Sequence, residues 1–156
     1  MNVTARPPGE DEFEAWSAAH LADYVDEIVA SGSMVREAAE EKGRREMAEL
    51  LPAGLVTPGH LFLRVEADSQ PVGWVWLGLQ NPRAEAGVGF IYYISVDEAF
   101  RGRGYGRATM QLAENEARRR GLHALALNVF GQNTIARSLY SSLGYRETSV
   151  QMRNEL

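Results

Sequence analysis

The stretch from Phe90 to Gly121, FIYYISVDEAFRGRGYGRATMQLAENEARRRG, constrains the fold more than any other. A run of β-branched and aromatic residues, Ile91 to Val96, passes through Asp97, Glu98 and Ala99 into a turn in which glycine alternates with larger residues. An amphipathic pattern follows at once, so the stretch predicts strand, loop and helix in that order. Arg101-Gly102-Arg103-Gly104-Tyr105-Gly106 puts side-chain-free positions where the backbone turns sharply, and a helix starting near Gly104 points unpaired N–H groups out of the turn. Such a helix start attracts phosphate, and amides held between a buried strand and a helix form a nest for a diphosphate. Glycines also make plain turns, so the loop alone leaves both readings open; the order of elements favours the anion site.

Two common phosphate motifs do not fit. A P-loop requires Gly-Lys followed by Ser or Thr, and the dinucleotide fingerprint requires GxGxxG, whereas Gly102, Gly104 and Gly106 alternate. The spacing that fits is Arg-x-x-Gly-x-Gly at Arg101, Gly104 and Gly106, which resembles the acyl-CoA-binding loop of the GNAT superfamily of N-acetyltransferases. A second stretch, NTIARSLYSSLGY from Asn133 to Tyr145, resembles that family's N-x-x-A-x-x-L-Y-x-x-x-G-[FY] signature at a suitable distance downstream. The pair covers residues 90 to 146, while the N-terminal half matches in element order alone.

Hydrophobic spacing supplies the other elements. Val3 to Arg6 predicts a short strand closed by Pro7-Pro8-Gly9. Phe13, Trp16, His20, Tyr24 and Ile28 fall on one face of a helix ending near Ser31-Gly32, and His20 and Tyr24 there suit either packing against a sheet or lining an acceptor pocket. Ser33 is expected to cap a second helix reaching Leu51, whose weak face of Met34, Ala38, Met47, Leu50 and Leu51 predicts loose packing. His60 to Ala67, Pro71 to Gln80 and Val88 to Val96 read as a meander, with Val72, Trp74 and Trp76 on one face of its middle strand and Val75 and Leu77 on the other. After the glycine loop, Tyr105, Ala108, Leu112, Ala113 and Ala117 mark the buried stripe of a helix closed by Gly121, with three arginines complementing its negative end. Leu122 to Val129 is expected as a strand, Asn133 as the cap of a helix ending at Gly144, and Tyr145 to Met152 as a last strand. The order β-α-α-β-β-β-α-β-α-β predicts one α/β domain over residues 1 to 156, a mixed and mostly antiparallel sheet flanked by helices, which is also the GNAT element order.

Composition narrows the chemistry. At 156 residues and 45% apolar content the chain suffices for one well-cored domain. It has no cysteine, which excludes disulfides and a Cys nucleophile, and His20, His60 and His123 lack ligand spacing, so no metal is expected. Without an apolar signal core or a run of membrane-spanning length, a cytoplasmic protein with no membrane contact is expected. The net charge of -5 is uneven: residues 10 to 50 carry twelve Asp and Glu against four Lys and Arg, and residues 51 to 156 carry nine against eleven. That asymmetry suits a cationic partner at the front and a phosphorylated one at the rear, although exposed helices are also commonly acidic for solubility. An overall negative charge, with the arginine triplet confined to one helix end, argues against nucleic-acid binding.

The resemblance implies an acetyl-CoA-dependent N-acyltransferase acting on a small-molecule or protein amine. On it, backbone groups of Ile94 and Val96 bond the pantetheine arm, and the amides of Arg101, Gly102, Arg103, Gly104, Tyr105 and Gly106 hold the diphosphate. Asn133 contacts the pantetheine, Tyr140 faces the sulfur, and Ser95 and Arg107 complete the cofactor-binding set. The amine attacks the thioester directly, so no protein nucleophile is needed. An alkylamine of pKa about 10.4 must lose a proton, at about 4 to 5 kcal/mol if unaided at pH 7, and the leaving thiolate gains from a donor, for which Tyr140 is the candidate. Many relatives carry glutamate where this chain has Phe90, which leaves the base open among Glu85, Tyr92, Asp97, Glu98 and a water chain. A non-catalytic acyl-CoA sensor on the same fold is the alternative reading. A homodimer through sheet edges or the last strand fits the pattern.

Overall fold

The computed structural model describes residues 2–156. Strands β1 (Val3–Arg6), β2 (His60–Ala67), β3 (Gln70–Gly78), β4 (Val88–Val96) and β5 (Ala124–Leu127) lie across one sheet in sequence order. The first four pair antiparallel, and β5 alone is parallel to its neighbour. Asp68 and Ser69 turn β2 into β3 with φ of 50° and 67°, the left-handed pair that matches a hairpin's twist. A parallel neighbour needs a crossover instead, and α3 (Tyr105–Arg119) supplies it between β4 and β5. Helices α1 (Glu10–Ala30) and α2 (Arg36–Leu50) cover the other face, and α4 (Thr134–Ser142) follows β5.

The two faces bury different chemistry. Aliphatic Val65, Val75, Leu77 and Ile91 pack with Met110 and Ala113 of α3, while the α1 face is aromatic: Phe13, Trp16, Phe62, Trp74 and Trp76. Val72 belongs to the aliphatic face rather than with Trp74 and Trp76, because a bulge opposite Val65 and Glu66 turns its side chain over. The stripe of α3 runs through Thr109 and Met110, with Ala108 only half-buried.

Three further expectations change. The cap of α2 is Val35, not Ser33, whose hydroxyl is engaged with that of Ser31. The seam of α2 is Ala39 and Gly43, not Met34 and Ala38, and it is tight: a Cβ on Gly43 would lie 2.7 Å from Leu21 Cδ1 on α1. Small residues let the two backbones approach, so α2 is seated despite its charge. The strand expected over Tyr145 to Met152 does not form, and those residues run without regular structure, Val150 and Met152 being 63% and 91% exposed. Tyr145 packs at the edge of the aliphatic core beside Tyr140, while the side chains of Val150 and Met152 find no face to cover.

Candidate active site

The sheet opens between β4 and β5. Their ladder covers only Val88 to Ile91 against Ala124 to Leu127, after which β4 continues to Val96 with no strand paired on that edge among the described residues. The shortened β5, expected to reach Val129, reflects this divergence. A bulge begins where the ladder ends: Ile91 pairs with Leu77 and Tyr93 with Trp76, leaving Tyr92 unopposed. Amides alternate in direction along a strand, and that of Asp97 donates to Val72 O of β3 at 2.8 Å. The amides of Ile94 and Val96 consequently face the open edge, while Ser95 pairs opposite Trp74.

The glycine loop closes the mouth of this opening. Gly102 and Gly104 have φ of 74° and 83°, a region that favours glycine, and Gly104 caps α3. The amide of Arg101 donates to Glu98 O at 3.2 Å, and its Nε donates to Val96 O at 3.0 Å. From residue 102 to residue 107 no amide donates to any group among the described residues. This cradle carries the side chains of Arg103 and Arg107 beside it, with Tyr105 turned inward against Phe100.

Helix α4 is brought to the same place. Asn133 caps it, its Oδ1 accepting from the Ala136 amide at 3.2 Å. Gly106 lets it approach α3, since a Cβ there would stand 3.3 Å from Leu139 Cδ2, and Arg107 Nη2 donates to Ser142 Oγ at 2.6 Å. Tyr140, next to Leu139, is half-buried at the edge of the aliphatic core with no hydrogen-bond partner among the described residues, and burial raises its phenol above the usual value. The loop and Tyr140, distant in sequence, are thus joined through a Gly106–Leu139 contact.

Across the sheet, the bulge puts Tyr92 and Tyr93 on the same aromatic face. Tyr92 stacks on Trp76 at 4.8 Å and meets Phe90 edge-on at 4.8 Å, and Tyr93 meets His20 edge-on at 4.7 Å. Gly78 makes the room, because a Cβ on it would be 2.5 Å from Tyr92 Cε2. A groove of about 240 Å³ lies between α1 and the sheet at Glu12, Ala15, Trp16, Arg64 and Trp74. A hollow of about 360 Å³ at the β3–β4 turn stands at the opposite end of β4 from the glycine loop.

The sequence profile described as the acetyltransferase (GNAT) family matches residues 23–145. The chain belongs to that family. Among curated proteins, the uncharacterized N-acetyltransferases YdgE and YycN of Bacillus subtilis (strain 168) are 33% and 32% identical to it; each alignment covers all of this chain, and 99% and 100% of the relative. The crystal structure of YycN superposes with a TM-score of 0.89 at 30% identity over 99% of both chains. The PaiA N-acetyltransferase of Thermoplasma acidophilum, solved in complex with coenzyme A, shares the fold at a TM-score of 0.67 and 19% identity, over 97% of this chain and 94% of that one.

In this GNAT chain the carboxylates closest in sequence to β4 are dispersed. Asp97 pairs with Arg64 Nη2 at 3.3 Å, Glu98 is exposed in the turn before the glycine loop, and Glu85 lies in the β3–β4 turn. Phe90 lies on the aromatic face and contacts Tyr92. Tyr24, read as a possible pocket residue, instead donates to Glu46 at 2.6 Å and accepts from Lys42 at 3.1 Å, tying α1 to α2. Sequence reading misses the bulge at Tyr92, whose only local trace is the spacing of Gly78 across the hairpin. Among the described residues no helix is long and apolar enough to cross a membrane, and no group of three or more His, Cys, Asp or Glu side chains is placed to hold a metal. The arginine triplet is held by its own helix, Arg118 by Glu114 and both Arg119 and Arg120 by Glu116.

Proposed function

We propose that this chain transfers the acetyl group of acetyl-CoA to a primary amine of a small molecule or protein, by direct attack of the amine on the thioester with Tyr140 as general acid. The observation that carries the reading is the run of amides from 102 to 107 that no group among the described residues accepts, at the mouth of the β4–β5 opening. Those amides, with Arg101, Arg103 and Arg107 around them, fit a diphosphate. The open-edge amides of Ile94 and Val96 and the side chain of Asn133 fit the peptide-like pantetheine arm, with Ser95 behind it. When bound, acetyl-CoA supplies an activated acyl carbon and a thiolate leaving group. Tyr140, kept protonated by its burial, donates its hydroxyl proton to the departing sulfur and is reprotonated from the attacking nitrogen. The coenzyme A bound by PaiA supports the fold's capacity for this ligand.

A second reading, an acyl-CoA-binding sensor without turnover, is favoured by one feature, Phe90 in place of glutamate. Thiol release from acetyl-CoA against spermidine, an aminoglycoside, free amino acids and peptides bearing an N-terminal amine or lysine separates them. Release with one of these amines is expected; heat of coenzyme A binding with no release on any of them means the sensor. The reading places the enzyme in the cytoplasm, with its acyl donor. It also favours a homodimer, since the outer edge of β5 is unpaired among the described residues and the segment after Tyr145 is exposed. Sedimentation should then give twice the chain mass of 17.3 kDa, and a monomer at micromolar concentration would remove the dimer.

A further inference from the structure

We infer that His20 of α1 is the group that takes the proton from the attacking amine, in place of the carboxylate that Phe90 does not provide. The inference rests on the acyl-transfer reading above. The three histidines are distinguishable by what their ring nitrogens already do. His60 Nδ1 accepts the indole proton of Trp76 at 3.0 Å, so a neutral ring carries its hydrogen on Nε2 and has no free lone pair. Protonating it would cost a bond to an indole that is 98% buried, Trp76 being 2% exposed. His123, just before β5, stands at the closed end of the ladder beside Gly87, which precedes β4, its Nε2 3.2 Å from Ala86 O. His20 alone has both ring nitrogens without a partner among the described residues.

Its position completes the case. The ring lies flat on Trp16, at 4.9 Å and 12°, with its neighbour Tyr93 next in sequence to Ile94 on the open edge. The groups facing it are Trp16 and Asp23 of α1, Trp76 of β3 and Tyr93 of β4; Asp23 is the charged one, and Glu27 lies a turn further along α1. Burial lowers the imidazole below its ordinary value, against a smaller opposing effect of Asp23, so the ring is neutral at pH 7 and able to accept.

The protons balance as follows. The ammonium gives one to His20, and the free amine attacks the thioester carbon; the C–N bond forms and the C–S bond breaks. The nitrogen's second surplus proton replaces the one that Tyr140 gives to sulfur, and His20 releases its own to solvent.

The test uses whichever probe amine of the panel above the wild type acetylates, with His20→Phe and His20→Gln beside it. Phe keeps the ring stacked on Trp16 and removes the lone pair; Gln keeps polarity without basicity. Both are expected to lose about 10²-fold or more in kcat/KM with unchanged coenzyme A affinity and melting temperature, and to lose the wild type's acidic limb. That limb is expected below the ordinary imidazole value, rate rising with pH as His20 deprotonates. Wild-type turnover and an unmoved limb in His20→Phe overturn the assignment and leave acyl transfer standing. A wild type that acetylates none of the probes overturns acyl transfer itself.

Discussion

Tyr140 has an unpaired hydroxyl and a phenol whose burial keeps its proton in place, the state a general acid requires. Tyr140→Phe is expected to lower turnover by about 10²-fold while acetyl-CoA binds as before, since a phenyl ring preserves the packing on the aliphatic core. Steady-state rates with calorimetric binding check this, and undiminished turnover removes Tyr140 from the mechanism. Gly78 is as specific in the opposite sense: it carries no chemistry, yet Tyr92 occupies the space of its missing side chain. Gly78→Ala should displace Tyr92 and destabilise the fold by about 1–3 kcal/mol, read from the denaturation midpoint; an unchanged midpoint contradicts the packing. Asn133 was legible in sequence as the cap of α4 because capping is local, whereas Tyr140 was singled out by the family motif alone. Tyr92 was not legible, because its orientation depends on a bulge that leaves it without a partner on β3.

At the scale of elements, the strand, glycine loop and helix are where they were expected because the information is local: left-handed turns demand glycine, and Gly102 and Gly104 supply it. The segment from Tyr145 to Met152 was expected as a strand, but a strand needs a partner edge, and local sequence does not supply one. The placement of α2 was equally hidden, since two small residues rather than a broad apolar stripe seat it on α1. The join of β1 to α1 carries a pH signature. Arg6 donates to both Glu12 and Glu66, and its bonds to Glu12, with the Gly9 amide second, hold that carboxyl at about 2. A carboxylate depressed in the fold stabilises it fully above the ordinary value of 4.5, and that stabilisation is lost as pH falls from there through about 2. Glu12→Gln should flatten the fall in stability across this window, measured by denaturation at stepped pH; parallel curves for variant and wild type contradict it.

For the molecule as a whole, the uneven charge seen in sequence becomes an arrangement in space. The acids of residues 10 to 50 ride on α1 and α2 over the aromatic face, and Arg101, Arg103 and Arg107 gather at the glycine loop. On the proposed function, a cationic amine and an anionic acyl donor would thereby be drawn to different sides of one opening in the sheet. The opening itself follows from the parallel pairing of β4 and β5 ending at Ile91 while β4 runs on to Val96. Calorimetric titration of the purified protein with coenzyme A tests this arrangement most directly. The account predicts saturable heat at one ligand per chain, weakened in Gly104→Ala, where a side chain is forced into a left-handed turn; no heat with the wild type would contradict it.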